Sequence, residues 1–187
     1  SLVRDINKHS NNVMAKMLFL NLGAARYGAP ATWNKGIRAL RSWLTEKDLI
    51  SEEIVLENGS GLSRIERISA ATLARMLAYA ANRPAYYEFA ASLPALGLEG
   101  TQKGRLNGSP LVGQSWLKSG SLNGTRGLAG YVLAPDGRRR ILVMLVNHGN
   151  AAAAGKAQNA LLEWAMAMPA NPTAAQDNSS AEGVFQY

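Results

Sequence analysis

The fold of this chain is decided by a stretch that opens with Ser115-Trp116-Leu117-Lys118-Ser119-Gly120-Ser121. These residues predict a β-strand that ends in Lys-Ser-Gly. Two further strands are predicted over 125–134 and 138–147, joined by a turn at 135–137 with the sequence Pro-Asp-Gly. Proline presets φ, and aspartate and glycine adopt the conformations that a tight reversal needs. The stretch therefore predicts a three-stranded antiparallel meander.

The end of the first strand carries groups that suit an anionic ligand. Lys118 supplies a cation, Ser119 supplies a hydroxyl, and Gly120 lacks a Cβ, so a substrate backbone can approach closely. A Lys-[Ser/Thr]-Gly tripeptide occurs by chance in roughly one of ten chains of this length, given ordinary residue frequencies. The tripeptide alone therefore favours a surface lysine before a turn, and the interpretation depends on the rest of the chain.

Helices are predicted on both sides of the meander. The first is expected to bury Leu2, Ile6 and Val3, and the second to end at Gly23. Capping residues and apolar periodicity place the helices over 1–9, 13–22, 32–45, 70–81, 85–92 and 151–166. Helices followed by an antiparallel meander and a C-terminal helix predict the α+β class.

Two loop regions are predicted before the meander. A short strand or an extended run is predicted over 53–57, and it leads into a turn at 58–64 that is rich in glycine and serine. This turn is interpreted as structural, because the Gly-Lys-Ser/Thr of a phosphate loop is absent. Residues 93–114 carry repeated glycine and proline, and a loop of this kind before a sheet edge can form one wall of a binding site.

The helix–helix connection at Ser10-Asn11-Asn12 interrupts the first two helices. Serine and asparagine bond the backbone locally and favour caps over helix interiors. The segment can therefore be a plain N-cap. Its side chains are also free to point into a cleft, and both interpretations stay open on this segment alone.

Composition excludes several classes of protein. The chain has 187 residues, no cysteine, only two histidines (His9 and His148) and a net charge of +7. Disulfides and thiolate metal sites are excluded, and neither histidine has carboxylates at metal spacing, so we expect no metal and no cofactor. The basic residues are scattered and not interleaved with aromatics, which favours a solvated basic face over nucleic-acid binding. No run approaches the roughly 18 apolar residues of a membrane helix.

The first six residues look like the middle of an amphipathic helix, so the chain is expected to begin inside a larger protein. Residues 1–168 are predicted to form one folded unit. Residues 169–187 are predicted to be a polar tail outside the core.

Four segments together resemble the type-4-like D-alanyl-D-alanine carboxypeptidases, class C of the low-molecular-mass penicillin-binding proteins. The resemblance runs over residues 1–168 and implies the C-terminal portion of a β-lactamase/transpeptidase-like α+β fold, with an antiparallel sheet flanked by helices. The segments are 5–15 (Asp-Ile-Asn-Lys-His-Ser-Asn-Asn-Val-Met-Ala), 58–63 (Asn-Gly-Ser-Gly-Leu-Ser), 118–124 (Lys-Ser-Gly-Ser-Leu-Asn-Gly) and 128–131 (Leu-Ala-Gly-Tyr).

The resemblance implies a role for each site residue. Ser10 would relay a proton to the leaving amine, and Asn12 would bind the substrate amide and steady the catalytic lysine. Lys118 would supply positive charge near the nucleophile and the terminal carboxylate of the substrate. That carboxylate would bind the hydroxyls of Ser119 and Ser121. The Ser121 N–H would form half of an oxyanion hole beside Gly120.

The family's third motif, Ser-x-x-Lys, holds the nucleophile and lies upstream of the second motif. The chain's one literal match starts at Ser115 and is rejected, because residues three apart share a helix face but point to opposite sides of a strand. The resemblance thus implies a serine-type D-Ala-D-Ala carboxypeptidase or endopeptidase whose nucleophile precedes Ser1. These residues alone are expected to be inactive.

The implied setting is a periplasmic enzyme that acts on peptidoglycan stem peptides and is inhibited covalently by β-lactams. The net positive charge also suits peripheral association with an anionic membrane or wall surface. Alternatives are a β-lactamase or esterase of the same fold, or a non-catalytic peptidoglycan-binding module. A Ser–His hydrolase is disfavoured because His9 cannot easily turn back to Ser10, and His148 has no evident orienting carboxylate.

Overall fold

The computed structural model describes residues 1–169, and those residues form helices on both faces of one antiparallel sheet. The six α-helices are α1 (Leu2–His9), α2 (Asn12–Tyr27), α3 (Trp33–Glu46), α4 (Ala70–Ala81), α5 (Tyr86–Ser92) and α6 (Ala154–Ala167). The three strands are β1 (Ser115–Leu122), β2 (Thr125–Leu133) and β3 (Arg139–Asn147).

The sheet is the predicted meander, with strand order β1-β2-β3 and antiparallel pairing throughout. Lys118 pairs with Ala129, and Ser121 pairs with Arg126. The α+β class and the three strands are therefore confirmed, each strand within about one residue of its predicted bounds.

The core lies on both faces of the sheet because successive side chains of a strand alternate between faces. On one face, Leu117 and Leu128 pack with Leu162 of α6. On the other face, Tyr131 packs with residues of α4 and α5, and its hydroxyl donates to the carbonyl of Leu77 over 2.8 Å. Burial raises the pKa of Tyr131 to about 12. The sheet is thereby held between two layers of helix.

The predicted end of the second helix is wrong, since α2 runs through Gly23 to Tyr27. Gly23 is buried against α3, and a Cβ there would lie 2.5 Å from the backbone nitrogen of Gly36. Glycine at this point permits close packing of two helices, which local sequence rules interpret as a helix end.

One smaller prediction is also wrong. Leu2 and Val3 are 49% and 42% exposed, and α1 contacts its neighbours through polar side chains described below. Of the two forms predicted for 53–57, the structure has no regular strand, and Val55 alone pairs, with Arg67, in an isolated antiparallel bridge.

The predicted tail over 169–187 lies outside the described residues except for its first residue. Within residues 1–169, no helix has the length and apolar character needed to cross a membrane.

Candidate active site

The connection between α1 and α2 places Ser10 in an unusual backbone conformation. Ser10 has φ 52° and ψ 47°, the left-handed region that few non-glycine residues adopt, and its N–H bonds the carbonyl of Ile6. Conformations of this kind cost on the order of 1 kcal/mol or more and cluster at functional sites. The N-cap of α2 is Asn11, whose side-chain oxygen accepts from the Met14 N–H at 3.0 Å. The capping role therefore falls to Asn11 and leaves the side chains of Ser10 and Asn12 for the cleft.

The end of α1 is anchored by polar contacts to the residues after α5. Lys8 is buried, pairs with Glu99, and donates to the carbonyl of Leu93 over 3.0 Å. The Asn7 amide donates to Ser92 Oγ over 2.8 Å. These contacts fix the position of Ser10 two residues later. Sequence reasoning missed Lys8, because a lysine on a helix ordinarily indicates a solvated face.

The free edge of β1 is covered at its start and open at its end. The Leu117 N–H donates to the carbonyl of Pro94 over 2.9 Å, so the odd-numbered residues of β1 turn their backbone groups away from β2. By the same alternation, the N–H of Ser121 faces the open part of this edge. The open edge is where a substrate backbone can pair.

Lys118 joins the two distant motifs. Its Nζ donates to Ser10 Oγ and to the Ser119 carbonyl oxygen, each over 2.8 Å. Burial lowers the pKa of Lys118, because the ammonium loses water and gains only neutral oxygens as partners.

Ser119 projects to the opposite face of β1 from Lys118, as strand alternation requires. The side-chain amide of the buried Gln102 donates to Ser119 Oγ over 3.0 Å. The Arg105 guanidinium donates to Gln102 Oε1 over 3.1 Å. Burial and the nearby Arg126 lower the pKa of Arg105. Sequence reasoning placed a cleft wall in this loop but did not single out Gln102 or Arg105.

Gly120 and Ser121 complete the strand end. A Cβ on Gly120 would meet no protein atom within 4 Å, so packing does not require glycine there. Ser121 is exposed and lies directly across from Arg126. Arg126 donates to the carbonyl of Ala152 over 3.3 Å. It forms no ion pair within residues 1–169.

A single cleft of about 520 Å³ contains every predicted site residue. Its wall includes Ser60 and Leu62 from the predicted structural turn. The predicted residues along it are Ser10, Asn12, Lys118, Ser119, Gly120 and Ser121. A larger groove of about 970 Å³ lies beside it, is mainly apolar, and contains none of these six residues.

The other polar residues considered as catalytic or metal-binding groups do not line this cleft. Ser115 is completely buried on β1, and its Oγ has no hydrogen-bond partner among the described residues, which supports rejecting it as a nucleophile. His148 Nδ1 accepts from the Asn150 N–H at 3.0 Å. No group of three or more histidine, aspartate or glutamate residues within 1–169 is arranged to hold a metal ion.

An antiparallel sheet flanked by helices, with a Lys-Ser-Gly edge facing a Ser-x-Asn helix connection, defines the C-terminal portion of a β-lactamase/transpeptidase-like fold. Residues 1–168 match the D-Ala-D-Ala carboxypeptidase 3 (S13) family, and the chain belongs to this family. The resemblance to the type-4-like penicillin-binding proteins is thereby confirmed.

Two curated relatives are D-alanyl-D-alanine carboxypeptidases. The protein from Actinomadura sp. (strain R39) is 33% identical over 148 residues, which cover 76% of this chain and 27% of the relative. DacB from Haemophilus influenzae is 31% identical over 148 residues, which cover 78% of this chain and 31% of the relative. The chain thus spans about a third or less of these relatives' length.

Solved structures agree with the fold. Penicillin binding protein 4 (dacB) from Haemophilus influenzae has a TM-score of 0.77 at 27% identity, over 86% of this chain and 39% of that chain. A structure of the same protein in complex with a β-lactam has a TM-score of 0.74 at 31% identity, over 79% of this chain and 34% of that chain.

Proposed function

We propose that this chain is the C-terminal part of the catalytic domain of a serine-type D-Ala-D-Ala carboxypeptidase or endopeptidase acting on peptidoglycan stem peptides. The observation that carries the proposal is the contact of Lys118 Nζ with Ser10 Oγ in the cleft. In this proposal the attacking serine and its lysine would come from a Ser-x-x-Lys segment outside these 187 residues. The serine would attack the carbonyl of the penultimate D-Ala, and water would resolve the acyl-enzyme.

Ser10 would carry the proton to the leaving amine. Because the Lys118 ammonium donates to Ser10 Oγ, a lone pair of that oxygen is occupied and its own proton is directed elsewhere in the cleft. Proton relay by a positioned hydroxyl is general acid–base catalysis of the usual kind. Asn12, whose side chain bonds none of the described residues, would bind the substrate amide and steady the upstream lysine.

The terminal carboxylate of the substrate would lie against the end of β1. Hydroxyls of Ser119 and Ser121 are the donors there, and Gly120 leaves space for the substrate backbone. Lys118 lines the cleft at this end of the strand, Arg126 lies across from Ser121 on β2, and Arg105 lies behind Gln102. Within residues 1–169 none of these three cations pairs with a carboxylate. An anionic ligand supplies the charge that the described residues leave unbalanced.

The oxyanion of the tetrahedral intermediate would be held between two backbone N–H groups. One is that of Ser121, at the open part of the β1 edge, and the other is that of the upstream serine. Loss of one such donor typically lowers turnover by about 10² to 10³.

The cellular setting is part of the same proposal. The substrate is a polymer of the cell wall, so the protein would work in the periplasm, and β-lactams would acylate it as substrate mimics. The net charge of +7 suits contact with an anionic wall or membrane surface.

The test is labelling of the full-length protein with a fluorescent penicillin. Lys118→Ala is expected to nearly abolish labelling, whereas Lys103→Ala, which removes an exposed lysine outside the cleft, is expected to retain it. Unchanged labelling of Lys118→Ala would remove Lys118 from the site. Comparing hydrolysis of a D-Ala-D-Ala peptide with that of nitrocefin separates a carboxypeptidase from a β-lactamase.

A further inference from the structure

Gln102 is a buried amide whose two ends bond two different side chains, Ser119, which lines the cleft, and Arg105, which lies behind it against α6. It is 1% exposed and ends the short 3-10 turn Gly100–Gln102, between α5 and β1. Its Nε2 donates to Ser119 Oγ over 3.0 Å. Burying a polar group without a hydrogen bond costs free energy, so both ends of a buried amide are normally bonded. The two bonds of Gln102 therefore hold its side chain in one position.

The orientation of this amide is fixed by Arg105. A guanidinium is only a donor, so the amide end that faces Arg105 Nη1 at 3.1 Å must be the oxygen. Arg105 is itself held against α6 by the side chains of Asn159, at 2.8 Å, and Gln158, at 3.4 Å. The nitrogen of Gln102 must therefore point to Ser119 and donate.

This contact sets the direction of the Ser119 hydroxyl. The oxygen accepts from Gln102, so its single proton is left to be donated. The neighbouring Thr101 Oγ1 is 3.5 Å away, beyond the usual range for an O–H···O bond. The proton is available to the cleft, and polarisation of the amide by the Arg105 cation strengthens the hydroxyl as a donor.

We propose that Gln102 is a positioning residue that holds the Ser119 hydroxyl as a donor and thereby selects substrates with a free terminal carboxylate. The inference rests on the proposed function and adds to it the residue that sets specificity at the carboxylate end. A hydroxyl held as a donor forms a strong hydrogen bond with an anionic carboxylate. It stabilises a terminal amide less, because the N–H groups of the amide need acceptors.

The test compares two peptides in the full-length protein, one ending in D-Ala-D-Ala with a free carboxylate and one ending in the corresponding amide. In Gln102→Glu the new carboxylate lies beside Arg105, stays ionised and accepts the Ser119 proton. The ratio of kcat/KM for acid over amide is then expected to fall about ten- to a hundredfold, the effect of losing a hydrogen bond to a charged group. The fall is expected mainly in KM for the acid peptide.

Two further variants isolate the cause. Gln158→Glu places the same charge against Arg105 without touching Ser119, and it is expected to leave the ratio within about twofold of wild type. Gln102→Met removes the donor without adding an acceptor, so its ratio is expected between those of wild type and Gln102→Glu. On a Ser119→Ala background, either Gln102 variant is expected to change the ratio no further.

The outcomes are distinguishable. An unchanged ratio in both Gln102 variants, or an equal loss on both peptides, overturns the positioning role while the proposed function stands. If Gln102→Glu does not fold, the Gln102→Met cycle with Ser119→Ala decides. A wild-type protein that cleaves neither peptide and is not labelled by penicillin overturns the proposed function, and this inference with it.

Discussion

The ammonium of Lys118 donates to the hydroxyl of Ser10 over 2.8 Å, although 108 positions separate the two residues in the chain. The contact exists because α1 is anchored through Lys8 to the residues after α5, and because β1 ends at an open edge beside it. The catalytic proposal depends on this one convergence.

Replacing Lys118 is expected to remove the activity of the protein without lowering its stability. The partly buried Lys118 ammonium bonds only neutral oxygens, so Lys118→Met relieves an unbalanced charge. The Ser119 carbonyl that loses this donor lies on the open part of the β1 edge, where water can replace it. We expect unchanged or higher thermal stability, as is common when a functional residue is removed. Because the folded pKa of Lys118 lies below its unfolded value, wild-type stability gains with rising pH between the two values, and the advantage of the variant shrinks there.

The matched control is Lys8→Met, which breaks the ion pair with Glu99 and leaves the Leu93 carbonyl without its donor. We expect this variant to lose about 1–3 kcal/mol of stability. Thermal melts of both variants measure the difference, and equal destabilisation by the two would contradict the account.

Gly120→Ala is expected to separate activity from folding. Its Cβ would meet no protein atom within 4 Å, so the change in stability should stay within about 0.5 kcal/mol. The same Cβ would lie where the proposed substrate backbone lies, and penicillin labelling should fall.

The control is Gly130→Ala, in which the Cβ would lie 2.0 Å from the Trp116 carbonyl oxygen, and a loss of about 1–3 kcal/mol of stability is expected. Full labelling of a well-folded Gly120→Ala protein would argue against substrate contact at Gly120.

Acylation is expected to decline at alkaline pH as Lys118 loses its proton. Since burial lowers the pKa of Lys118, the decline should begin below the pH at which an ordinary lysine titrates. An arginine at this position keeps its charge at all accessible pH values. Any acylation that remains in Lys118→Arg should therefore show no such decline at alkaline pH. Rates of penicillin acylation from pH 7 to 11 measure both, and an identical alkaline decline in the two proteins would assign it to another group.

The contribution of Glu53 to the stability of the protein is expected to disappear at acid pH. Its carboxylate accepts from the hydroxyls of Thr72, at 2.6 Å, and Ser69, at 2.8 Å, and these bonds lower its pKa to about 2. A carboxylate with a depressed folded pKa stabilises above its unfolded pKa and loses that contribution as the pH falls towards the folded value. Glu53→Gln should therefore be less stable than wild type at pH 7, with the difference vanishing towards pH 2. Denaturation at several pH values tests it, and a difference independent of pH would refute it.

Local patterns in the sequence were enough for most of the fold. The Pro-Asp-Gly turn and two alternating apolar runs defined the meander, and Ser69 and Thr32 marked helix starts that the structure has at the same residues. Such signals depend on neighbours in the chain, so they can be recognised without coordinates. Gly23 failed as a signal because its role is contact with Gly36 of another helix.

The α+β class and the two motifs follow from residue type and spacing, because these specify strands, turns and caps. Three contacts needed the packed fold: the cap formed by Asn11, the contact of Ser10 with Lys118, and the position of Gln102 behind Ser119. Those contacts join residues far apart in the chain. Their geometry follows from how helices pack on the sheet, which no local pattern encodes.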